Sequence, residues 1–383
     1  MRRSSITTVA QNRGELRASA QQNQGRGVQE PVGRDPVLDL VRAAALLVVV
    51  MWHWAFTTLR WSDGPHVGNP IGRTPGSWLV TWFLQVMPLF FLVGGTLHAA
   101  ALERHLAAGH TARSFIAARF RRLVIPVLPL LAVAGAVAGG AIALGRTDVA
   151  RGVVLMITPL WFLAVYLVLV VVAPFARLLH QRHGLWAIGA ATAVVAVVDR
   201  AITLPSHGDV GMVTTLAIYV LTWSVVHQLG FHLHQLRSAP RVVPWTTCGG
   251  GFAALVVGAS ALGYPASMVG THPEPISNMS PPNLMVVFLA VAQMGLLVVA
   301  DAPLRRWCER HNGLLGTAGE RSMTIYVWHM LALAAFWGLI TMVVGTPAHH
   351  VNAAWWAQRP VWLVGPLLFA VPLFALMGPG RRQ

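Results

Sequence analysis

Long apolar segments recur along nearly the whole chain and are separated by short polar loops. They occupy 37–58, 78–100, 123–144, 154–173, 185–198, 212–231, 246–263, 284–300, 323–344 and 360–377. Most of them reach the ~20 residues with which an α-helix crosses the ~30 Å hydrocarbon core of a bilayer. The pattern predicts an all-α fold, a polytopic transmembrane bundle of about ten helices. The segment at 185–198 is the shortest, and without it every later helix would have the opposite orientation.

Arginine is unevenly divided between the two sets of loops. If the N-terminus lies inside, the inner segments hold 21 arginines and the outer loops hold 6, with Arg42 inside the first helix. This division satisfies the positive-inside rule and supports the short segment as a fifth span. We therefore expect both termini in the cytoplasm. The richness in Ala, Gly and Arg suggests a bacterial source, so the expected location is a bacterial plasma membrane.

Residues 1–36 differ from the rest of the chain in being rich in Gln, Arg, Ser and Gly, with no apolar periodicity. Such a segment cannot bury enough apolar surface to offset the entropy of ordering, and we expect a disordered cytoplasmic tail. It also lacks the apolar core of a cleavable signal peptide. The predicted organisation is this tail, one membrane domain at 37–378 and a short second tail at 379–383.

Composition narrows the class of function. Hydrophobic residues make up 55% of the chain and charged residues 11%, so polar residues are too few to cover a large soluble domain. The net charge of +15 is spread over short loops instead of forming a stripe with interleaved aromatic residues. The expected partner is therefore the lipid bilayer, and no nucleic-acid partner is expected.

Residues suited to a metal or a disulfide are sparse. Cys248 and Cys308 fall near the same predicted cytoplasmic face, where we expect them to be reduced and structural. The histidine pairs at 232/234 and 349/350 have no plausible partner ligands, and no metal is expected.

The first predicted helix carries two ionisable residues on one face. Arg42 and His53 are 11 residues apart, close to three helical turns, which separates them by about 16 Å along the axis. Asp39 can pair with Arg42 near the cytoplasmic end. His53 lies in an apolar run, and ionisable groups inside a membrane are candidates for function. The alternative interpretation is a structural histidine and an arginine that anchors the topology.

A basic cluster leads into the third predicted helix in the segment SFIAARFRRLVIP. Arg119 and Arg122 carry guanidinium groups of the kind that bind phosphate oxygens in a bidentate manner. A nucleotide-bearing donor could dock here. Contact with anionic lipid headgroups is the simpler alternative.

Three polar residues share one face of the ninth predicted helix. Ser322, Tyr326 and His329 follow i, i+4, i+7 spacing, which is typical of a wall that faces protein or water. They are candidates for the lining of a substrate passage. Hydrogen bonding between helices explains them equally well.

Together these motifs resemble the membrane acyltransferase 3 family. The features that match are the Arg-x10-His first helix, the F-x3-R-x2-R-x3-P segment at 115–126, PLFFLVGG at 88–95, PLWFL at 159–163 and Ser-x3-Tyr-x2-His at 322–329. They are spread over nearly the whole predicted membrane domain.

The resemblance implies an O-acyltransferase that moves an acetyl or other short acyl group from acyl-CoA. The implied acceptor is a hydroxyl of a carbohydrate, glycolipid or related envelope or secondary metabolite. It implies that His53 and Arg42 are catalytic, with Arg42 nearer the cytoplasm acting on the donor, and that Arg119 and Arg122 bind the phosphates of acyl-CoA. A membrane carrier or flippase for a lipid-linked or small polar solute is the alternative, because basic inner loops and polar residues at midplane depth also describe a transporter. The oligomeric state is not assigned.

Overall fold

A computed structural model describes residues 35–60, 66–203, 211–270, 277–345 and 351–377. The predicted tail at 1–36, apart from Asp35 and Pro36, and the predicted tail at 379–383 lie outside these residues. The boundaries of the membrane domain therefore stay predictions.

Helices dominate the described residues. In chain order they are α1 (Pro36–Phe56), α2 (Trp78–Leu84), α3 (Met87–Ala107), α4 (Ala112–Val124), α5 (Leu128–Ala143), α6 (Thr147–Ile157), α7 (Trp161–His183), α8 (Leu185–Thr203), α9 (Met212–Leu229), α10 (Leu233–Arg237), α11 (Val242–Ala261), α12 (Leu284–Val299), α13 (Asp301–Arg310), α14 (Asn312–Val343), α15 (Ala353–Ala357), α16 (Arg359–Val364) and α17 (Leu367–Met377). Turns of 3₁₀ helix lie at Pro70–Arg73, Ile125–Val127, Thr158–Leu160 and Gly230–His232. Two three-residue strands, β1 (Thr58–Arg60) and β2 (His66–Gly68), pair as an antiparallel ribbon.

Nine helical segments within the described ranges are long and apolar enough to cross a bilayer. They are Pro36–Phe56, Trp78–Ala107, Ala112–Ala143, Thr147–His183, Leu185–Ile202, Met212–Arg237, Val242–Ala261, Arg321–Val343 and Ala353–Met377. Helices α12 and α13, bent by 62° against each other, pass the same test together, and the count is ten where this pair is taken as one span. The prediction of a polytopic helical bundle of about ten helices is confirmed. The short fifth segment is covered by α8, a helix of 19 residues.

Large apolar side chains point outward on most of these helices. Phe83, Val197 and Leu368 are 64%, 70% and 64% exposed, and many others are similar. An apolar surface of this extent is unfavourable in water but suits contact with lipid tails. Helix α12 is the exception, because most of its residues are buried among the other helices.

Helix α1 belongs to two packing clusters. Its N-terminal part, including Val37 and Val41, packs with α3, α9 and α12 in the larger cluster. Its C-terminal part, including Val50 and Trp54, packs with α14, α16 and α17 in a second cluster. One continuous helix therefore connects the two halves of the packed interior.

Helix α3 lies close to α9 and to the 3₁₀ turn that follows α9 because two positions carry glycine. A Cβ atom at Gly95 would overlap the carbonyl oxygen of His227, and one at Gly230 would overlap the carbonyl oxygen of Leu92. Such contact between backbones is the packing mode that small residues allow in membranes. The Thr96 hydroxyl adds a 2.7 Å hydrogen bond to the carbonyl of Gly230. Thr96, the residue after Gly95, is thus held against the chain at Gly230.

This packing predicts that Gly95→Ala destabilises the protein, because the new methyl group must push α9 away. The expected loss is about 1–3 kcal/mol, the usual cost of overpacking. Gly139→Ala is the matched control, since a Cβ on that helical glycine meets nothing within 4 Å. The control should raise stability by about 0.5–1 kcal/mol through helix propensity. Thermal unfolding in detergent, followed by tryptophan fluorescence, measures both, and equal midpoints for the two variants would contradict the close approach.

Candidate functional site

A cavity of about 540 Å³ lies beside the C-terminal half of α1. Trp52, Phe90 and Phe162 give it an aromatic wall, and the polar side chains that line it include Thr81 and Tyr219. A largely apolar cavity with a few polar groups is the usual form of a site for a small organic ligand.

Two interruptions of helical structure line this cavity. One is the break between α2 and α3 at Gln85 and Val86, and the other is the 3₁₀ turn Thr158–Leu160 between α6 and α7. Irregular backbone at membrane depth is tolerated only where protein or a water-filled cavity surrounds it. The two breaks therefore place this cavity in the interior of the bundle.

The segment after α11 forms another wall of the cavity, through Val269, Met279 and Ser280 among others. Its backbone is held by Asn278, which is fully buried and donates to the carbonyl of Pro265 at 2.6 Å and to that of Ser267 at 2.8 Å. This wall is thus fixed by side-chain hydrogen bonds without being part of a helix.

His53 lines the cavity and is hydrogen-bonded to a second histidine. Its Nδ1 lies 3.2 Å from Nε2 of His329 on α14. His329 is in turn bonded through Nδ1 to the carbonyl oxygen of Tyr326, at 2.7 Å. The indole of Trp54, next to His53, donates to the carbonyl of His329 at 3.0 Å. These bonds tie the C-terminal end of α1 to α14 and fix the orientation of both imidazole rings.

The bonding pattern determines which nitrogen of His53 is free to accept a proton. A carbonyl oxygen can only accept, so Nδ1 of His329 carries the hydrogen. In a neutral imidazole the other nitrogen is then an acceptor, and Nδ1 of His53 must donate to it. By the same rule Nε2 of His53 has an unprotonated lone pair. The ring also interacts with the backbone of Val49, one turn earlier in α1, and His53 lines the cavity, where its Nε2 can meet a ligand.

The three polar residues predicted to share a face of α14 lie in different surroundings. Tyr326 lines the cavity, and its hydroxyl donates to the carbonyl of Pro159 at 2.8 Å. His329 contacts His53 through the 3.2 Å hydrogen bond between their rings. Ser322, one turn before Tyr326, donates instead to the carbonyl of Gly319 in its own helix, at 2.9 Å. The structure thus brings Tyr326 and His329 to His53 and does not bring Ser322 there.

The predicted arginines come together at a second place, toward the N-terminal end of α1. Arg42 lies on α1, and its nearest carboxylate is Asp39, at 3.8 Å. Arg119 lies on α4, with its guanidinium carbon 5.4 Å from the ring centroid of Phe115. Arg42, Arg119 and Arg122 all interact electrostatically with Tyr166 of α7. We call these three residues the arginine cluster.

Sequence patterns did not single out a further pair of buried histidines. Nδ1 of His98 on α3 lies 3.0 Å from Nε2 of His227 on α9, and both rings are almost completely buried. The two residues are 129 positions apart, so no local spacing connects them. The usable signal was that each is an ionisable residue in an apolar run, the argument that applied to His53.

No group of three or more His, Cys, Asp or Glu side chains that could hold a metal ion occurs within the described ranges. The site consists of protein groups that accept protons, donate hydrogen bonds or carry positive charge.

A family model described as an acyltransferase domain, acyltransferase 3, matches residues 35–377. The match covers every described helix, from α1 to α17. Comparisons with curated proteins and with solved structures gave no match.

Proposed function

Because the chain belongs to the acyltransferase 3 family and is a multi-pass membrane acyltransferase, we propose that acyl-CoA is its donor and a hydroxyl group its acceptor. The proposed acyl group is acetyl or another short acyl. The proposed acceptor is a carbohydrate, a glycolipid or a related envelope or secondary metabolite. The observation that carries the proposal is the position of His53 on the wall of the 540 Å³ cavity, with its Nδ1 bonded to His329.

His53 acts as the general base in this proposal. Its Nε2 takes the proton of the acceptor hydroxyl while the hydroxyl oxygen attacks the thioester carbonyl. The new C–O bond forms as the C–S bond breaks, and the proton passes from Nε2 to the departing thiolate to give free CoA. Nδ1 of His53 donates to His329 throughout, so His329 stabilises the imidazolium that forms transiently.

The arginine cluster binds the donor in the proposal. Arg119 and Arg122 hold phosphate oxygens of acyl-CoA, and Arg42 stabilises negative charge along the path to the cavity. Arg42 and His53 are fixed by the same helix at about 16 Å along its axis. The donor can therefore be anchored at one depth while its acyl end reacts at another. Tyr326, on the cavity wall, lines the proposed substrate passage, whereas Ser322 bonds within its own helix and is left out of it.

The proposed orientation follows from the arginine distribution. Both termini lie in the cytoplasm of a bacterium, the arginine cluster faces the cytoplasmic pool of acyl-CoA, and His53 lies closer to the outer leaflet. An acceptor on the outer side of the plasma membrane can then reach the cavity.

Replacement of the proposed base should abolish acyl transfer. We expect His53→Gln, in protein reconstituted with radiolabelled acyl-CoA and acceptor, to reduce the rate of thioester cleavage by about 10²–10⁴-fold. His110→Gln, on an exposed turn, is the control and should retain the wild-type rate. A folded His53→Gln protein that cleaves the thioester at the wild-type rate would overturn the mechanism. Movement of a labelled solute without any cleavage would favour the carrier instead.

His329 is expected to act as a positioning residue for His53. His329→Leu removes the acceptor for the Nδ1 hydrogen and should lower kcat on the order of 10²-fold, with little change in KM for the donor. His329→Gln keeps an acceptor oxygen near the same place and should recover a large part of the loss. Equal rates for the Leu and Gln variants would show that His329 only fills space.

Labelling of single cysteines tests the orientation. Ala354→Cys and His110→Cys are both at exposed positions on opposite predicted sides of the membrane, and the native Cys248 and Cys308 are buried. A membrane-impermeant maleimide added to intact cells should label Ala354→Cys and should label His110→Cys only after the cells are opened. The reverse result would contradict a cytoplasmic N-terminus.

A further inference from the structure

The buried pair His98 and His227 has unused hydrogen-bonding capacity. The two side chains are 1% and 0% exposed. Each ring uses one nitrogen in the bond to the other, and Nε2 of His98 and Nδ1 of His227 are buried with no hydrogen-bond partner among the described residues. An unsatisfied polar atom in such a place costs about 1–3 kcal/mol. A ligand that supplied the missing bond would remove this cost.

The surroundings of His98 are strongly positive. Its ring centroid is 5.0 Å from that of Tyr166 and 6.2 Å from that of Phe115, the ring whose face Arg119 covers. Both Arg42 and Arg119 interact electrostatically with His98. His98 therefore lies at the inner edge of the arginine cluster.

The positive charge in this region is poorly compensated. Among the described residues, the only ion pair of Arg42 or Arg119 is the 3.8 Å contact between Arg42 and Asp39. Nε of Arg42 is also buried without a hydrogen-bond partner. The Arg42 side chain is 39% exposed overall, so Nε is the part of it that an anionic oxygen from the interior could compensate.

Tyr166 adds a neutral donor to the same place. A Cβ atom at Gly94 would lie 2.9 Å from the edge of the Tyr166 ring and 3.3 Å from its hydroxyl, so the glycine leaves room for the ring between α3 and α7. The charges of Arg42 and Arg119 act on the Tyr166 hydroxyl.

We propose that His98 and Tyr166, together with Arg42 and Arg119, form a binding site for a phosphate or diphosphate group, with its inner end at the buried His98. His227 donates through Nε2 to Nδ1 of His98, which places the hydrogen of His98 on Nε2, directed at the ligand. Two guanidinium groups, an imidazole N–H and a phenol O–H then surround the anion. The assignment rests on the proposed function in taking the donor's diphosphate as the ligand. An anionic lipid headgroup carries the same chemistry and is a second source.

Binding measurements on the full-length protein in nanodiscs of zwitterionic lipid test the site. The probes are CoA, inorganic pyrophosphate and pantetheine, which lacks phosphate. The variants are His98→Phe, which keeps the ring volume, and Tyr166→Phe, which removes a single oxygen and should fold even if the first does not. His183→Phe, at an exposed position, is the control.

We expect His98→Phe to weaken binding of CoA and pyrophosphate by about tenfold, and Tyr166→Phe by several-fold, with no change for pantetheine or for the control. Wild-type affinity for both phosphate probes in both variants would overturn the site and leave CoA as the donor. If the wild type binds pyrophosphate but not CoA, and the variants lose the binding of pyrophosphate, the site is supported and CoA is rejected as the donor. Competition by phosphatidylglycerol in wild type alone would support the site with lipid as the source of the phosphate.

Discussion

A polar group inside a bilayer has no water to bond to, and this constraint determines where the irregular and ionisable parts of the structure lie. The two helix breaks, at Gln85 and at Thr158–Leu160, both line the cavity of about 540 Å³. His53 is there as well, bonded to His329. On the outward faces of the helices, large apolar side chains such as Val197 and Leu368 meet the surroundings. Polar chemistry is therefore concentrated where protein replaces lipid.

Helix α1 fixes the distance between the arginine cluster and the cavity. Its N-terminal part packs in the larger cluster near the arginine cluster, and its C-terminal part packs in the second cluster beside the cavity. Because one continuous helix carries Arg42 and His53, their separation of about 16 Å along the axis cannot change without breaking it. A reaction that anchors a long donor at one end and uses its other end requires such a fixed distance.

The number of spans and the shared face of Arg42 and His53 could be predicted because both depend on information that is local in the sequence. Hydropathy needs a window of about 20 residues, and helical period relates positions on one helix. The contact between His53 and His329 joins positions 276 apart, and that between His98 and His227 joins positions 129 apart. Neither follows from spacing. The sequence also does not show which helix packs against Gly95.

The two histidine pairs differ in what determines their hydrogens, and this difference suits different tasks. In the first pair the carbonyl of Tyr326 places a hydrogen on Nδ1 of His329, and this in turn places the hydrogen of His53 on its Nδ1. Nε2 of His53 therefore has a lone pair whether or not a ligand is present. In the second pair no described carbonyl bonds to either ring, so the hydrogen between His98 and His227 can lie on either side. A ligand then selects the tautomer. A phosphate oxygen accepts and never donates when ionised, so it selects the form with hydrogen on Nε2 of His98. The fixed pair suits a base, and the adaptable pair suits a binding site.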